Sequence, residues 1–337
     1  MKRLLKAGVQ SAVSQVAPLL WRLDRQPRLL VLMYHRVLPQ HHPARAVEQP
    51  GMYVSPETFA MHVRLLQAHF TLVHLDDWLD ARRAGRPLPV RACAITFDDG
   101  WRDNYEYAFP VLRAAAAPAT IFLVSDMVGT RYRFWPNRLA DLLANHAPAA
   151  LATRLPEWLE PLVAAAAVDH GAPLDAEQID AVIGRCKQVR TDAQIAAALD
   201  DIERALGGGD QGHRDLADWD EIREMVDSGL VRVGSHTRRH TRLVAGLTVE
   251  QLQDEIAGSH RVLEERLGHP PRTFCYPNGD HCPAAVEAVR ARYIGAVTTS
   301  SGWNASGADA HLLRRVGVHE DVTRTPAAFL ARLAGIG

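Results

Sequence analysis

The run Ile95-Thr96-Phe97-Asp98-Asp99-Gly100 sets two adjacent carboxylates at the end of an apolar stretch. In a regular strand, neighbouring side chains point to opposite faces, so both acids can serve one site only where the strand ends. Gly100 permits the sharp turn that convergence requires. The C-terminal end of a parallel strand is also where ligand sites collect in barrels and open sheets. Taken alone, the run also reads as acidic turn residues ahead of a helix.

Outward from this run, short β-rich segments alternate with helical patterns. Residues 29–34, 92–97, 119–124, 230–235, 272–276 and 294–298 read as buried strands, and such alternation implies a parallel sheet or barrel. Helix starts stand between them, at Ser55-Pro56-Glu57 ahead of Phe59, Val63 and Leu66, and at Thr248 ahead of Leu252, Ile256 and Leu263. The stretch 132–212 breaks the rhythm. It is alanine-rich, carries helical periodicity around 139–143, 179–183 and 195–202, and ends in Gly207-Gly208-Gly209. It reads as a helical insertion serving as a lid or specificity element beside the rim that holds Asp98.

A second run, Val231-Arg232-Val233-Gly234-Ser235-His236-Thr237-Arg238-Arg239-His240, again follows a strand and ends in two histidines four residues apart. On a helical turn that spacing puts both imidazoles on one side. Two imidazoles and a carboxylate make a three-ligand set for a catalytic divalent metal, with positions left for water and substrate. With 16 histidines in the chain such a pair also arises by chance, and it is the placement of both runs at strand ends that favours a site.

Together, Thr96-Phe97-Asp98-Asp99-Gly100 and His236-Thr237-Arg238-Arg239-His240 resemble the first two motifs of the polysaccharide deacetylases, the NodB-homology or carbohydrate esterase family 4 enzymes. The resemblance implies an α/β fold, a distorted (β/α) barrel with seven strands carrying the helical insertion. The expected organisation is an amphipathic segment at 1–28, a discontinuous barrel at 29–131 and 213–325, the insertion at 132–212, and a C-terminal tail or helix at 326–337. It also implies that Asp98 is the general base and that Asp99, His236 and His240 are metal ligands. Leu32-Met33-Tyr34-His35-Arg36-Val37 is similar to the family's opening strand, which puts His35 near the rim, where it either lines the site or merely packs. Tyr276-Pro277-Asn278-Gly279 resembles the third motif, a turn lining the site, with the Asn278 backbone N–H as an oxyanion donor. Many members carry an arginine two positions before that proline, where this chain has Cys275; Arg272 and His35 are the candidates to replace it. Of the family's Leu-x-His motif only the histidine of Gly317-Val318-His319 matches, so His319 is either the general acid or an ordinary strand-end residue. Trp303 is a weak match to the fourth motif.

The resemblance implies hydrolysis of an N-acetyl group on an amino sugar in a polysaccharide, glycolipid or lipid-linked precursor, with release of acetate. The ligand set suits zinc first and also accepts cobalt, nickel or manganese. Two other readings stay open: a catalytically silent sugar-binding barrel, and a hydrolase of a non-sugar C–N amide. Trp101, Tyr105, Trp135 and Trp303 are candidates to stack on sugar rings, although each type more often packs.

Composition excludes several classes. The 337 residues are too many for a peptide or disulfide scaffold, and a net charge of -1 lacks the basic excess of a nucleic-acid binder. Four scattered cysteines read as reduced thiols. The N-terminal segment has neither a continuous signal-peptide core nor a span, which leads to the expectation of a cytoplasmic enzyme. Its basic start at Lys2, Arg3 and Lys6 and the helical spacing of Leu5, Val9, Val13, Val16 and Leu20 suit either a helix covering the domain or weak peripheral contact of residues 1–20 with an anionic inner membrane face. Pro18 is expected to interrupt that helix.

Overall fold

The computed structural model describes residues 2–207 and 214–336, so the expected flexible end of the insertion at Gly208 and Gly209 lies outside the described residues. All six expected strands are present: Arg28–Tyr34 (β1), Arg91–Phe97 (β2), Ala119–Leu123 (β3), Val231–Ser235 (β4), Thr273–Cys275 (β5) and Gly295–Ser301 (β6). A seventh, Leu313–Gly317 (β7), was not among them. β1 to β7 pair in chain order, each parallel to the next, and β7 returns to β1 through Leu32 opposite Val316. The result is a closed seven-stranded parallel barrel with flanking helices, as the resemblance implied. Two short strands, Thr71–Leu72 on β2 and the antiparallel Asn304–Ala305 on β1, pair with the N-terminal ends of those strands.

Alternation along the strands sorts the side chains into two layers. Leu29 and Val31, Ala92 and Ala94, Phe122, Cys275, Val297 and Leu313 fill the interior with Leu75, Trp78 and Leu79 from the helix Leu75–Arg83. The intervening residues, such as Leu30, Leu32, Ile95, Phe97, Ile121 and Val233, face outward under helices. The interior is tight. A Cβ on Gly234 would stand 2.4 Å from the Phe122 ring, so glycine is required there for β3 and β4 to pair.

The chain divides into two compact units. The barrel unit holds residues up to Pro39, Gly51–Thr130 and the chain from Leu216 on; the other unit holds Gln40–Pro50 with Arg131–Asp215. The second unit is helical, with Trp135–Asn145, Ala176–Val189 and Asp192–Ala205 as its longer members. Leu139, Leu143, Val182, Ile183, Ile195 and Leu199 form a core of its own. Capping boxes at Asp175 with Gln178 and Thr191 with Gln194 start two of these helices by satisfying their first amides. The joining of Gln40–Pro50 to this unit was not expected from the sequence.

The N-terminal helix Lys2–Leu23 runs through Pro18, contrary to expectation. One lost backbone bond is offset by packing of the helix on Pro326–Leu333, with Ala17 buried and the Trp21 ring tilted against Phe70 and Trp303 at 5.2 and 5.7 Å. Among the described residues no helix is long and apolar enough to cross a membrane.

Candidate active site

The inward rows of the barrel change character at the C-terminal ends of the strands. Continuing each row by twos leads from Val31 to His35, from Ala94 to Thr96 and Asp98, from Gly234 to His236, and from Leu313 to Arg315, with Cys275 ending β5. Asp98, His236, Cys275 and Arg315 are all buried. Asp99 belongs by alternation to the outer face, but its left-handed backbone (φ 74°), followed by Gly100 (φ 79°), swings it back over the barrel mouth. Thr237, His240 and Asn278 are also left-handed, with φ of 65°, 61° and 54°. Each such conformation costs a non-glycine residue of order 1 kcal/mol, and this strain collects at the rim.

Asp99 Oδ1 lies 3.4 Å from His236 Nε2 and 3.4 Å from His240 Nε2. Its Oδ2 accepts the Trp101 indole N–H at 2.9 Å, while Oδ1 is buried and accepts no hydrogen bond among the described groups. His236 Nδ1 lies 2.8 Å from the Cys275 carbonyl, which can only accept, so Nδ1 carries a proton and Nε2 is the nitrogen turned toward Asp99. A buried carboxylate oxygen facing two imidazole nitrogens calls for positive charge between them, which protons supply in the free site and a divalent cation would supply in their place. Donor spacings of 3.4 Å match neighbouring corners of a tetrahedral site with bonds of about 2.0–2.1 Å. The three residues therefore fit a divalent metal. Burial alone would raise the Asp99 carboxyl, yet the imidazoles of His236 and His240 hold it well below the usual range.

Asp98, His236 and Cys275 also cluster, but that group is not a second ligand set. Arg315 claims Asp98 with both arms, Nη1 to Oδ1 and Nη2 to Oδ2, each at 2.7 Å. Arg315 is itself fixed, donating from Nε to the Thr298 carbonyl at 2.8 Å and from Nη1 to Thr96 Oγ1 at 3.2 Å. Burial tends to raise the Asp98 carboxyl, but the guanidinium outweighs it and leaves the acid below its ordinary value, hence ionised. The Cys275 thiol, pushed up by burial, stays protonated, accepts from Arg315 Nη2 at 3.2 Å and lies 3.5 Å from Asp98 Oδ2.

Arg315 thus fills the role expected of an arginine at position 275. It reaches Asp98 from β7 instead of β5. Of the candidates named from sequence, Arg272 is bound to Asp80, with Nη2 2.7 Å from Oδ1, ahead of the start of β5. His35 is close, but its Nε2, 3.9 Å from Asp98 Oδ2, is beyond hydrogen-bond distance, and it is Arg315 that bonds both carboxylate oxygens.

Other expected residues fall differently. Tyr276 is completely buried on the outer side of β5, its ring against Phe274 and His281, so it cannot line a substrate site; alternation that turns Cys275 inward turns Tyr276 out. Pro277 is buried in the turn that follows, where the Asn278 carbonyl accepts from Thr299 Oγ1 at 3.1 Å. His319 follows β7 at the same end of the barrel and pairs through Nδ1 with Asp321. The aromatic candidates are committed elsewhere: Trp101 to Asp99, Tyr105 to Glu224, Trp135 to Asp192 and Trp303 to the cluster with Trp21.

The sequence profile of the polysaccharide deacetylases matches residues 85–294, which includes both carboxylates and both histidines. The chain belongs to the polysaccharide deacetylase family. Its fold is similar to the solved structures of IcaB from Ammonifex degensii (TM-score 0.57, 22% identity, 91% of this chain and 98% of that one) and of a Bacillus cereus polysaccharide deacetylase (TM-score 0.57, 21% identity, 91% and 69%). It also matches the poly-beta-1,6-N-acetyl-D-glucosamine N-deacetylase of Escherichia coli at 43% identity over 51 residues, 15% of this chain and 8% of that protein. Alignments with the curated relatives span 40% of their length or less.

Proposed function

We propose that this member of the family removes N-acetyl groups from an amino-sugar glycan, releasing acetate, with zinc held by Asp99, His236 and His240. The observation that carries the reading is the division of labour between neighbouring acids: Asp99 turns an unbonded oxygen to two imidazoles, while Asp98 is held ionised by Arg315. A silent sugar-binding barrel has no use for either. The Escherichia coli relative's name supports the substrate class.

A divalent ion bound there supplies Lewis acidity, lowering its water's pKa toward 7 and polarising the acetyl carbonyl. Asp98 takes the proton of the attacking water, its carboxylate kept free of other protons by the Arg315 charge. The departing amine needs a proton in turn, and we assign that step to His35, whose Nε2 lies beside Asp98 Oδ2, in preference to His319, which is turned to Asp321. The balance is one amide and one water to acetate and a free amine.

Acetate release measured across N-acetylated oligosaccharides and non-sugar amides, with and without chelator, tests this reading. Chelator-sensitive release from the sugars alone is expected, and release unaffected by chelator, or none from any sugar, overturns it. Asp98→Asn keeps the metal and loses roughly 10²–10⁴-fold in kcat, the range of a general base. His35→Ala loses more than His319→Ala; the reverse order returns the acid role to His319.

The N-terminal helix supports peripheral contact with an anionic membrane. Val9, Val16, Leu19, Leu20 and Leu23 are exposed, and at 100° per residue they form one outward stripe, with the exposed Arg22 and Arg25 close by. Flotation with anionic vesicles at low salt should fail for Val16→Glu/Leu23→Glu; equal flotation of variant and wild type, or of neither, removes the membrane from the reading.

A further inference from the structure

The loop from His236 to His240 is not a helical turn. Thr237 and His240 are both left-handed, and between them the backbone N–H groups of Arg238 and Arg239 point to one place. Glu255 fills that place: its Oε2 accepts both amides, each at 3.0 Å, and its Oε1 lies 2.9 Å from Arg239 Nη2. The carboxylate is only 3% exposed. On its other side the loop is tied through the carbonyls of Thr237 and Arg238, which accept from the amides of Ser125 and Asp126 at 3.1 and 3.0 Å.

Glu255 stands in a π-helical turn, Asp254–Gly258, between the helices Val249–Gln253 and Ser259–Leu267. Such a turn has poorer hydrogen bonding than an α-helix and persists where something else is gained. Here the turn brings Gly258 under Arg238, where a Cβ would stand 2.5 Å from its Cδ. The Arg238 side chain crosses that glycine to bind Asp126, with Nε 3.1 and 3.0 Å from the two carboxylate oxygens, and Asp254.

The same arrangement recurs at the other histidine-bearing loop of the barrel mouth. Asp103, 3% exposed, immediately precedes the molecule's other described π-helical turn, Asn104–Ala108. Its Oδ1 accepts the Val37 amide at 2.7 Å and its Oδ2 accepts Arg36 Nε at 2.9 Å, while Asn104 Nδ2 donates to the His35 carbonyl at 2.8 Å. Two histidine loops, each gripped by a buried carboxylate at a π-turn, make chance a poor account of either.

We infer that Glu255 is a positioning residue for metal binding, which holds the loop in the strained form that aims His240 at Asp99. The inference rests on the metal reading above. Without Glu255 the two amides lose their acceptor, the left-handed residues relax, and the His240 ring leaves its place 3.4 Å from Asp99.

The test is zinc affinity by chelator competition on the full chain, with circular dichroism to confirm the fold. Glu255→Ala should bind zinc roughly 10–100-fold more weakly than wild type, the usual effect of losing a group that orients a ligand. Glu255→Gln, which keeps an oxygen acceptor, should lie between the two, and activity should return at saturating zinc. Zinc affinity equal to wild type in a folded Glu255→Ala overturns the inference and leaves Glu255 as helix packing. If that variant does not fold, wild-type affinity in Glu255→Gln overturns it instead. A wild-type chain that binds no divalent metal fails the metal reading itself, a different result from variants that bind as well as wild type.

Discussion

At the N-terminal ends of its strands the barrel is filled by Leu75, Trp78 and Leu79 packed among Leu29, Ala92 and Leu313; at the C-terminal ends the same inward rows become His35, Asp98, His236 and Arg315. One end is apolar, and Gly295 there makes way for Leu79, against which a Cβ would stand 2.6 Å away. The other holds buried charge and four of the five left-handed non-glycine residues among those described. The contrast assigns stability to one end and chemistry to the other, since buried charges and backbone strain cost free energy that an apolar packing would not.

Breaking the charged end at the proposed ligand set has the largest expected effect. Asp99→Ala should leave less than about a tenth of the wild-type metal content, with activity lost along with it, because a three-residue site seldom holds zinc on two imidazoles. Elemental analysis after gel filtration measures this. Full metal content in the variant would mean that Asp99 is not a ligand.

Next comes Arg315→Met. Removing one member of a buried ion pair strands the other, so the variant should lose about 3–5 kcal/mol of stability in urea unfolding along with most of its kcat. Asp98→Asn/Arg315→Met, which removes both charges, should recover part of that stability and none of the activity. A double variant as unstable as the single one would show that Arg315 acts through packing and not through the Asp98 charge.

Arg315 also marks where reading the chain from sequence stopped. The Asp98-Asp99 pair and the His236-His240 pair are local patterns whose spacing carries their chemistry, and six barrel strands declare themselves by apolar runs. β7, Leu313-Arg314-Arg315-Val316-Gly317, does not, because its central inward residue is the arginine that binds Asp98. Its partner is 217 positions away, and no local spacing links them. The usable signal was topological: a seven-stranded barrel with six strands found needs another after residue 298, and 313–317 is the β-prone run there. Tyr276 shows the complementary error, a motif residue placed by resemblance where strand alternation alone sends it outward.

His62, buried away from the mouth, is neutral. His62 accepts from the Tyr34 hydroxyl at Nδ1 (3.0 Å), donates from Nε2 to the Thr323 carbonyl (2.8 Å) and stacks on Phe329 at 3.8 Å. Burial lowers its pKa from 6.5 to about 4. Between those values the unfolded chain binds a proton that the folded chain refuses, so stability falls as pH falls from 6.5 to 4, by about 3 kcal/mol in all. Urea midpoints across this window should drop less steeply in His62→Gln, which can keep both hydrogen bonds without titrating. Parallel slopes would show that His62 is not the group responsible.

The smallest effect sharpens the account of strain. Ala116, the fifth left-handed non-glycine residue, lies away from the mouth, just past the helix Phe109–Ala114 (φ 47°). The Ala117 amide bonds the Leu112 carbonyl at 2.9 Å and the Ala116 amide that of Arg113 at 3.2 Å, the pattern of a Schellman motif whose left-handed position glycine normally fills. Relief of about 1–2 kcal/mol of left-handed strain, less about 0.5–1 kcal/mol for the entropy of glycine, leaves Ala116→Gly more stable by about 0.5–1 kcal/mol, with kcat and metal affinity unchanged. Thr237→Gly relieves the same strain between the two histidines, and there the gain should come with weaker metal binding, because the threonine also narrows the loop to the one conformation that aims His240. Thermal melts and zinc titration on the two variants separate the cases. If Thr237→Gly gains stability and keeps its metal affinity, strain at the mouth is as incidental as strain at Ala116.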